Sequence, residues 1–323
     1  MSRSSRIPIV LCIDVEPDAR ILGAQRPTTW HGFPLTWDAI ESFRQQLSSA
    51  TGLTPHVNWF FRMDPQVQLA HGSAMWVVEQ YSALVECIAR TGDGVGLHVH
   101  SWRPHERQGW IADYSSADWI DECLDLSFAA FRDAFNAPCR SFRFGDRWMD
   151  QRTMSQLNSR GVEVDLTLEP GFDDASFYTA SEVALGTLPD YRDVPTHPYR
   201  PSLNDFRMED VARESGIWIL PVSTAAARPP WPHRLYNRWV AKRPSTNLST
   251  ALVSLSRSTF RDVIDRVLDR PHPHLVLTLR TGAATVPRYA ARVDANLTAL
   301  RTHPEAARWA WTTPSEAIQL LQE

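Results

Sequence analysis

Ile9-Val10-Leu11-Cys12-Ile13-Asp14-Val15-Glu16 and Gly94-Val95-Gly96-Leu97-His98-Val99-His100-Ser101-Trp102 decide the reading of this chain. Each is a hydrophobic run that ends in a polar pair. Side chains two apart on a β-strand share a face, so Asp14 pairs with Glu16, and His98 with His100. If the two runs are neighbouring parallel strands, the four side chains converge at one mouth of a sheet or barrel. Parallel β/α proteins carry their sites at that carboxyl end. Two imidazoles and a carboxylate form a divalent-metal set, and the second carboxylate is left to act as a base. The pairs point to a metal-assisted hydrolase.

Outward from these two runs, five more apolar or β-branched stretches follow the same style. The full set covers residues 7–14, 55–61, 94–99, 140–144, 163–168, 217–222 and 274–279. Helical spacing of apolar residues fills several gaps: 37–49, 74–90, 117–135, 149–159, 260–268, 288–300 and 314–321. Gly92 and Gly161 stand where helix C-terminal caps belong. Strands alternating with helices predict parallel β/α construction, and seven such strands predict a closed or nearly closed barrel. Residues 170–216 and 225–247 resist the pattern and read as loop excursions over the active-site face. The period resumes after each, so the expectation is one domain over residues 1–323.

Composition narrows the function classes. A net charge of −4 gives no footing for a nucleic-acid partner. Lys242 is the sole lysine, which leaves almost no scope for Schiff-base chemistry. Cys12, Cys87, Cys123 and Cys139 form no Cys-x-x-Cys pair, so zinc-ribbon and thioredoxin readings fail. Cys12 and Cys139 are expected to be buried apolar residues. No stretch is long and apolar enough to predict a membrane span. No secretory signal is read at the N-terminus, so the expected location is the cytoplasm.

The residues also carry a resemblance. Ile13-Asp14-Val15-Glu16, Val95-Gly96-Leu97-His98-Val99-His100-Ser101-Trp102 and Ser141-Phe142-Arg143-Phe144-Gly145-Asp146-Arg147-Trp148 resemble, in order, successive motifs of the polysaccharide deacetylase (NodB-like, carbohydrate esterase family 4) superfamily. The branch with an Asp-Val-Glu first motif and a Gly-Leu-His-x-His-x-Trp second motif is the most similar. Trp59-Phe60-Phe61 and Leu220-Pro221-Val222 extend the likeness to further strands. The resemblance implies a distorted (β/α) barrel of about seven parallel strands and a metal-dependent hydrolase that removes an N-acyl group, acetyl first, from an amino sugar or carbohydrate-like substrate. It implies Asp14 as general base, Glu16, His98 and His100 as metal ligands, and Arg143 holding Asp14 by a charge-assisted hydrogen bond. The implied cofactor is one divalent metal, zinc first, with cobalt, nickel, manganese or iron also compatible. A cytoplasmic substrate would be a nucleotide sugar, a lipid-linked sugar at the inner membrane face or a small glycoside.

Two departures stand out. Most members space the metal histidines at i, i+4, but position 102 is Trp, which leaves His100 as the second ligand. The last strand ends in Arg280, where the family normally carries the histidine that protonates the leaving amine. Arginine cannot donate a proton near neutrality, although it can stabilise an oxyanion or grip an anionic substrate group. His105 is the first-ranked replacement acid, followed by His197 and Asp146, and Asp64 is a further candidate at the rim. Trp30-His31, Trp231-Pro232-His233 and Tyr236 are weaker candidates for a sugar platform. Pro271-His272-Pro273-His274 reads as a turn. The alternative function is a catalytically silent relative that binds a carbohydrate or a protein. A glycoside hydrolase ranks last, because Asp14 and Glu16 are too close on one strand to flank a glycosidic bond.

Overall fold

The computed structural model describes residues 6–19, 29–107, 109–174, 184–228 and 247–323. In chain order its elements are β1 (Ile7–Val15), α1 (Gly32–Thr51), β2 (Asn58–Arg62), α2 (Pro65–His71), α3 (Trp76–Gln80), α4 (Ser82–Thr91), β3 (Gly94–Val99), β4 (Trp102–His105), β5 (Gly109–Asp113), α5 (Ala117–Phe135), β6 (Ser141–Phe144), α6 (Gln151–Ser159), β7 (Val164–Asp165) and β8 (Ala184–Leu185). They continue with β9 (Trp218–Ile219), β10 (Thr224–Ala227), β11 (Asn247–Thr250), α7 (Arg257–Leu268), β12 (Leu275–Arg280), α8 (Pro287–Arg301), β13 (Trp309–Trp311) and α9 (Pro314–Gln322).

The main sheet runs β12-β1-β2-β3-β6-β7-β9, with every neighbouring pair parallel, and β13 pairs β1 from the side. All seven strands expected from sequence lie on this path, and the sheet curls into the expected distorted barrel. Closure is partial. Ser223 N donates to Val276 O (3.1 Å) and Thr278 N to Ala251 O (3.1 Å), so single bonds replace a full ladder between the last strand and the residues that follow β9 and β11.

Both faces of the strands are buried, so they read as near-continuous apolar runs. On β1, Ile9, Leu11, Ile13 and Val15 pack outward under the helices. Val10 and Cys12 point into the barrel with Phe60, Val164, Leu166, Leu220, Val222 and Val276. Ala317 and Ile318 of α9 join this inner cluster. The same alternation puts Asp14 and Glu16 inward at the end of β1. Gly96 on β3 makes room for this packing, because a Cβ there would lie 2.6 Å from the Phe60 ring and 2.7 Å from Ser141 O. Cys12 and Cys139 are buried free thiols, as expected.

The structure departs from the sequence reading at several elements. The stretch 74–90 is two helices, since Tyr81 breaks it at φ −115°, ψ 34° and packs its ring edge-on to Phe33. The helix α2 was not foreseen. Asp64 caps it, accepting from Val67 N, and Pro65 fills its first turn, where a missing N–H costs nothing. The excursion at 225–247 has paired ends, the antiparallel hairpin β10–β11. Trp309–Trp311 is too short for its alternation to be read, and it gains strand form from pairing with β1.

Candidate metal centre and active-site cavity

Register brings the two diagnostic pairs together. β1 pairs β2 and β2 pairs β3, with Asp14 opposite Phe60 and Arg62 opposite His98. Val15 lies opposite Phe61, so Glu16 stands level with Arg62 and, on the far side of β2, with His98. His98 Nε2 lies 3.0 Å from His100 Nε2 and 3.4 Å from Glu16 Oε1, and His100 Nε2 lies 3.7 Å from Glu16 Oε2. All three residues are buried, and their donor atoms lie within 4.8 Å of one another.

Neighbours fix each of these side chains. His98 Nδ1 lies 3.0 Å from the Arg143 carbonyl, which can only accept, so Nδ1 carries a hydrogen and Nε2 faces the centre. His100 Nδ1 is 3.3 Å from Asp146 Oδ2 and 3.2 Å from the Trp102 indole nitrogen. The Tyr114 hydroxyl donates to the same Asp146 oxygen at 2.8 Å. The backbone N–H of His100 donates to Asp64 Oδ2 (3.1 Å), and Arg62 Nε holds that oxygen at 2.6 Å. Asp64 is therefore wholly buried against the end of β3, not at the rim. At the end of β1, the Thr281 hydroxyl donates to Glu16 O (2.9 Å) and accepts from Glu16 N (3.0 Å), tying β1 to the end of β12.

Gly145 and the two residues after it complete the floor. A Cβ at Gly145 would fall 2.2 Å from the His100 ring, so only glycine lets the backbone pass. Asp146 (φ 55°) and Arg147 (φ 60°) are both left-handed without being glycine. That conformation costs about 1–2 kcal/mol per residue, and such outliers gather at functional sites. The neighbours offset the cost: Tyr191 donates its hydroxyl to Arg147 O at 2.6 Å, and the Arg147 guanidinium stacks 4.4 Å above the Phe172 ring.

The electrostatics draw positive charge to the centre. Burial opposes charge on Glu16, yet the Arg280 guanidinium and the two imidazoles hold its carboxyl well below the usual range. Burial would likewise keep His98 neutral, but the Asp14 and Glu16 carboxylates outweigh it and hold this imidazole above its ordinary value. His100 goes the other way, lowered by burial and by the Arg62 guanidinium. Two ring nitrogens 3.0 Å apart and a carboxylate are stable together only around a cation, whether a shared proton or a metal. This donor set and spacing fit zinc or a similar divalent ion. Arg280 is a local competitor for the carboxylate, since its Nε and Nη2 grip Glu16 Oε1 and Oε2 at 3.0 and 2.9 Å.

Asp14 stands beside this centre. Arg143 Nε reaches its two oxygens at 3.1 and 3.3 Å, and Arg143 Nη1 donates to Leu166 O at 2.8 Å. Asp14, Glu16, His98, His100, Arg143 and Arg280 all line one cavity of about 230 Å³. Of the residues singled out from sequence, His105 falls outside it. His105 stands at the turn end of the β4–β5 hairpin, exposed and accepting from Arg107 N. His197 is also outside, exposed and 3.1 Å from Glu209. Trp30 is core, donating to His71 Nε2 and packing on Trp76. Trp231, His233 and Tyr236 lie outside the described residues.

Sequence reasoning missed Glu169 and Thr250, which line the same cavity with Asp146 and Arg147. Glu169 carried a readable signal, a carboxylate closing the apolar run 163–168, as Asp14 and Glu16 close the first run. Thr250 carried none, since the β10–β11 pairing that delivers it is not visible in the sequence.

No family model and no curated protein matches the sequence. Among solved structures the chain is similar to a proposed polysaccharide deacetylase from Mycobacterium smegmatis, with a TM-score of 0.50, 12% identity and coverage of 100% of this chain and 92% of that one. It is also similar to a proposed glycoside hydrolase/deacetylase from Parabacteroides distasonis, with a TM-score of 0.53, 11% identity and coverage of 98% and 71%. At such identities the likeness establishes the fold. The chain shares the distorted (β/α) barrel of these two structures, as its strand runs implied.

Proposed function

We propose that this protein is a metal-dependent amidohydrolase that removes an N-acyl group, acetyl in the first instance, from an amino sugar or related carbohydrate. One observation carries the reading: Glu16, His98 and His100 converge on one point beside an Arg143-held Asp14, in a single cavity. Glu16, His98 and His100 would hold the metal, zinc first. When bound, the metal supplies Lewis-acid polarisation of the acyl carbonyl and lowers the pKa of water.

The chain's own residues do the rest. Asp14, aimed by Arg143, removes the proton from the attacking water. Asp146 and the Arg143 carbonyl fix the two imidazoles. Arg280 keeps Glu16 ionised and places a guanidinium at the mouth, 37% exposed, where a developing oxyanion or an anionic substrate group would meet it. Two measurements test the reading, metal content of the purified protein and acetate release from a panel of N-acetylated sugars and nucleotide sugars. One bound divalent metal with acetate release supports it, and a metal-loaded protein inert across the panel overturns it.

A second reading rests on Arg280, whose two bonds to Glu16 occupy both oxygens a metal would use. On that reading the protein is a catalytically silent carbohydrate- or protein-binding relative, and the purified protein would hold no stoichiometric metal.

A further inference from the structure

An amide nitrogen leaves a tetrahedral adduct only as it gains a proton, because an amide anion is too basic to depart. The deacetylase reading therefore needs an acid in the cavity. Arg280 cannot serve, since its guanidinium stays protonated above pH 12. His105 and His197 lie outside the cavity. Asp14 is engaged by Arg143 and Glu16 by Arg280, and Asp146 already serves His100 and Tyr114.

Glu169 differs from all of these. It lines the cavity and is nine-tenths buried, four residues past the end of β7, the strand that pairs with the Arg143-bearing β6. Thr250 donates its hydroxyl to Glu169 Oε2 at 2.7 Å, and Arg147 Nη1 stands 4.0 Å from the same oxygen. Oε1 takes no hydrogen bond among the described residues. One carboxyl oxygen is thus anchored and the other is left for a substrate. The anchor comes from the β10–β11 hairpin, which lines the same cavity as Glu16, His98 and His100.

We propose that Glu169, oriented by Thr250, is the proton donor to the leaving amine. The assignment rests on the deacetylase reading above. As the C–N bond breaks, its electron pair passes to nitrogen, which takes the proton from Glu169 Oε1. The carbonyl re-forms from the adduct oxygen. Glu169 is left as a carboxylate and recovers its proton from solvent, so no redox partner is needed.

Leaving-group dependence tests this, with metal-loaded wild type, Glu169→Gln, Glu169→Asp and Thr250→Val. One substrate is an N-acetylglucosamine tetrasaccharide, whose amine must be protonated. The other is 4-nitrophenyl acetate, whose phenolate leaves unaided. Glu169→Gln is expected to lower turnover of the saccharide by about 10²–10³-fold and that of the ester by less than tenfold, with metal content unchanged. Glu169→Asp should recover part of the saccharide activity, and Thr250→Val should fall between wild type and Glu169→Gln. Equal losses on both substrates, or an unaltered saccharide rate, overturn the assignment while leaving the deacetylase reading in place. A metal-loaded wild type inert on both substrates overturns the two together.

Discussion

The cavity has a strand-borne half and a loop-borne half, and the two are held by different means. Asp14, His98 and Arg143 sit on β1, β3 and β6, and Glu16 and His100 directly follow strand ends, so the parallel ladder sets their spacing. Arg147 and Glu169 lie outside the strands, and Thr250 ends the small β10–β11 hairpin apart from the main sheet; side-chain contacts hold the first two, Tyr191 and Phe172 for Arg147 and Thr250 for Glu169. A ladder resists single substitutions, whereas a side-chain anchor is lost with one residue. On the proposed reading, the strand-borne half suits the common part of a hydrolysis, and the loop-borne half suits the part that meets a particular substrate.

The largest expected effect lies in the strand-borne half. His98→Ala should abolish both metal stoichiometry and acetate release, with circular dichroism unchanged because the ladder remains. Thr250→Val, on the other side, should leave the metal content at the wild-type value. Loss of metal in the Thr250 variant would erase the distinction between the halves.

Asp14→Asn should come next. It keeps the shape and the metal but removes the base, so kcat is expected to fall by about 10²–10⁴-fold. The neutral amide also leaves Arg143 without its counter-charge, and a buried pair broken on one side costs about 3–5 kcal/mol. Chemical denaturation should therefore find this variant less stable at neutral pH. Full turnover in Asp14→Asn would remove Asp14 from the mechanism.

Asp146→Asn tests the seam between the halves, where a turn residue supports a strand-borne ligand. Loss of a carboxylate behind a metal-ligating imidazole weakens metal binding by about 10–100-fold. Calorimetric titration of the metal-free protein with zinc would measure it. An unchanged dissociation constant would mean that the Arg143 carbonyl and the Asp64 contact suffice to orient the two rings.

This division also explains what the sequence revealed. The seven strands were legible because both their faces are buried, which writes long apolar runs, and Asp14, Glu16, His98 and His100 were legible because period two survives at a strand end. Arg143 needed its motif, since an arginine at a strand end looks like any surface residue. Arg280 was placed at the mouth, but its grip on Glu16 depends on the β1–β12 register, with Asp14 opposite Arg280. His105 is close in sequence to the histidine pair, but it stands at the end of the β4–β5 hairpin and does not line the cavity. Glu169 and Thr250 meet through a contact 81 positions apart, which no local pattern encodes.

The smallest effect on turnover, read instead in stability, is expected at Asp165, on β7 where the strand-borne half ends. Asp165 is wholly buried and accepts from the Thr167 hydroxyl (2.7 Å) and backbone N–H (3.1 Å). Burial dominates these bonds and pushes its carboxyl up to about 7. A carboxyl raised in the folded state binds its proton more tightly there than in the unfolded chain. Its stabilising contribution is thus complete below about pH 4 and is lost as pH rises through about 7. The ceiling on that loss is roughly 4 kcal/mol at 1.36 kcal/mol per unit. Asp165→Asn does not titrate, so urea midpoints of wild type relative to the variant should decline between pH 4 and 7 and level off above. A constant difference across that window would mean that Asp165 stays ionised, with Arg143 shared between it and Asp14, and the base would then lose part of the charge that aims it.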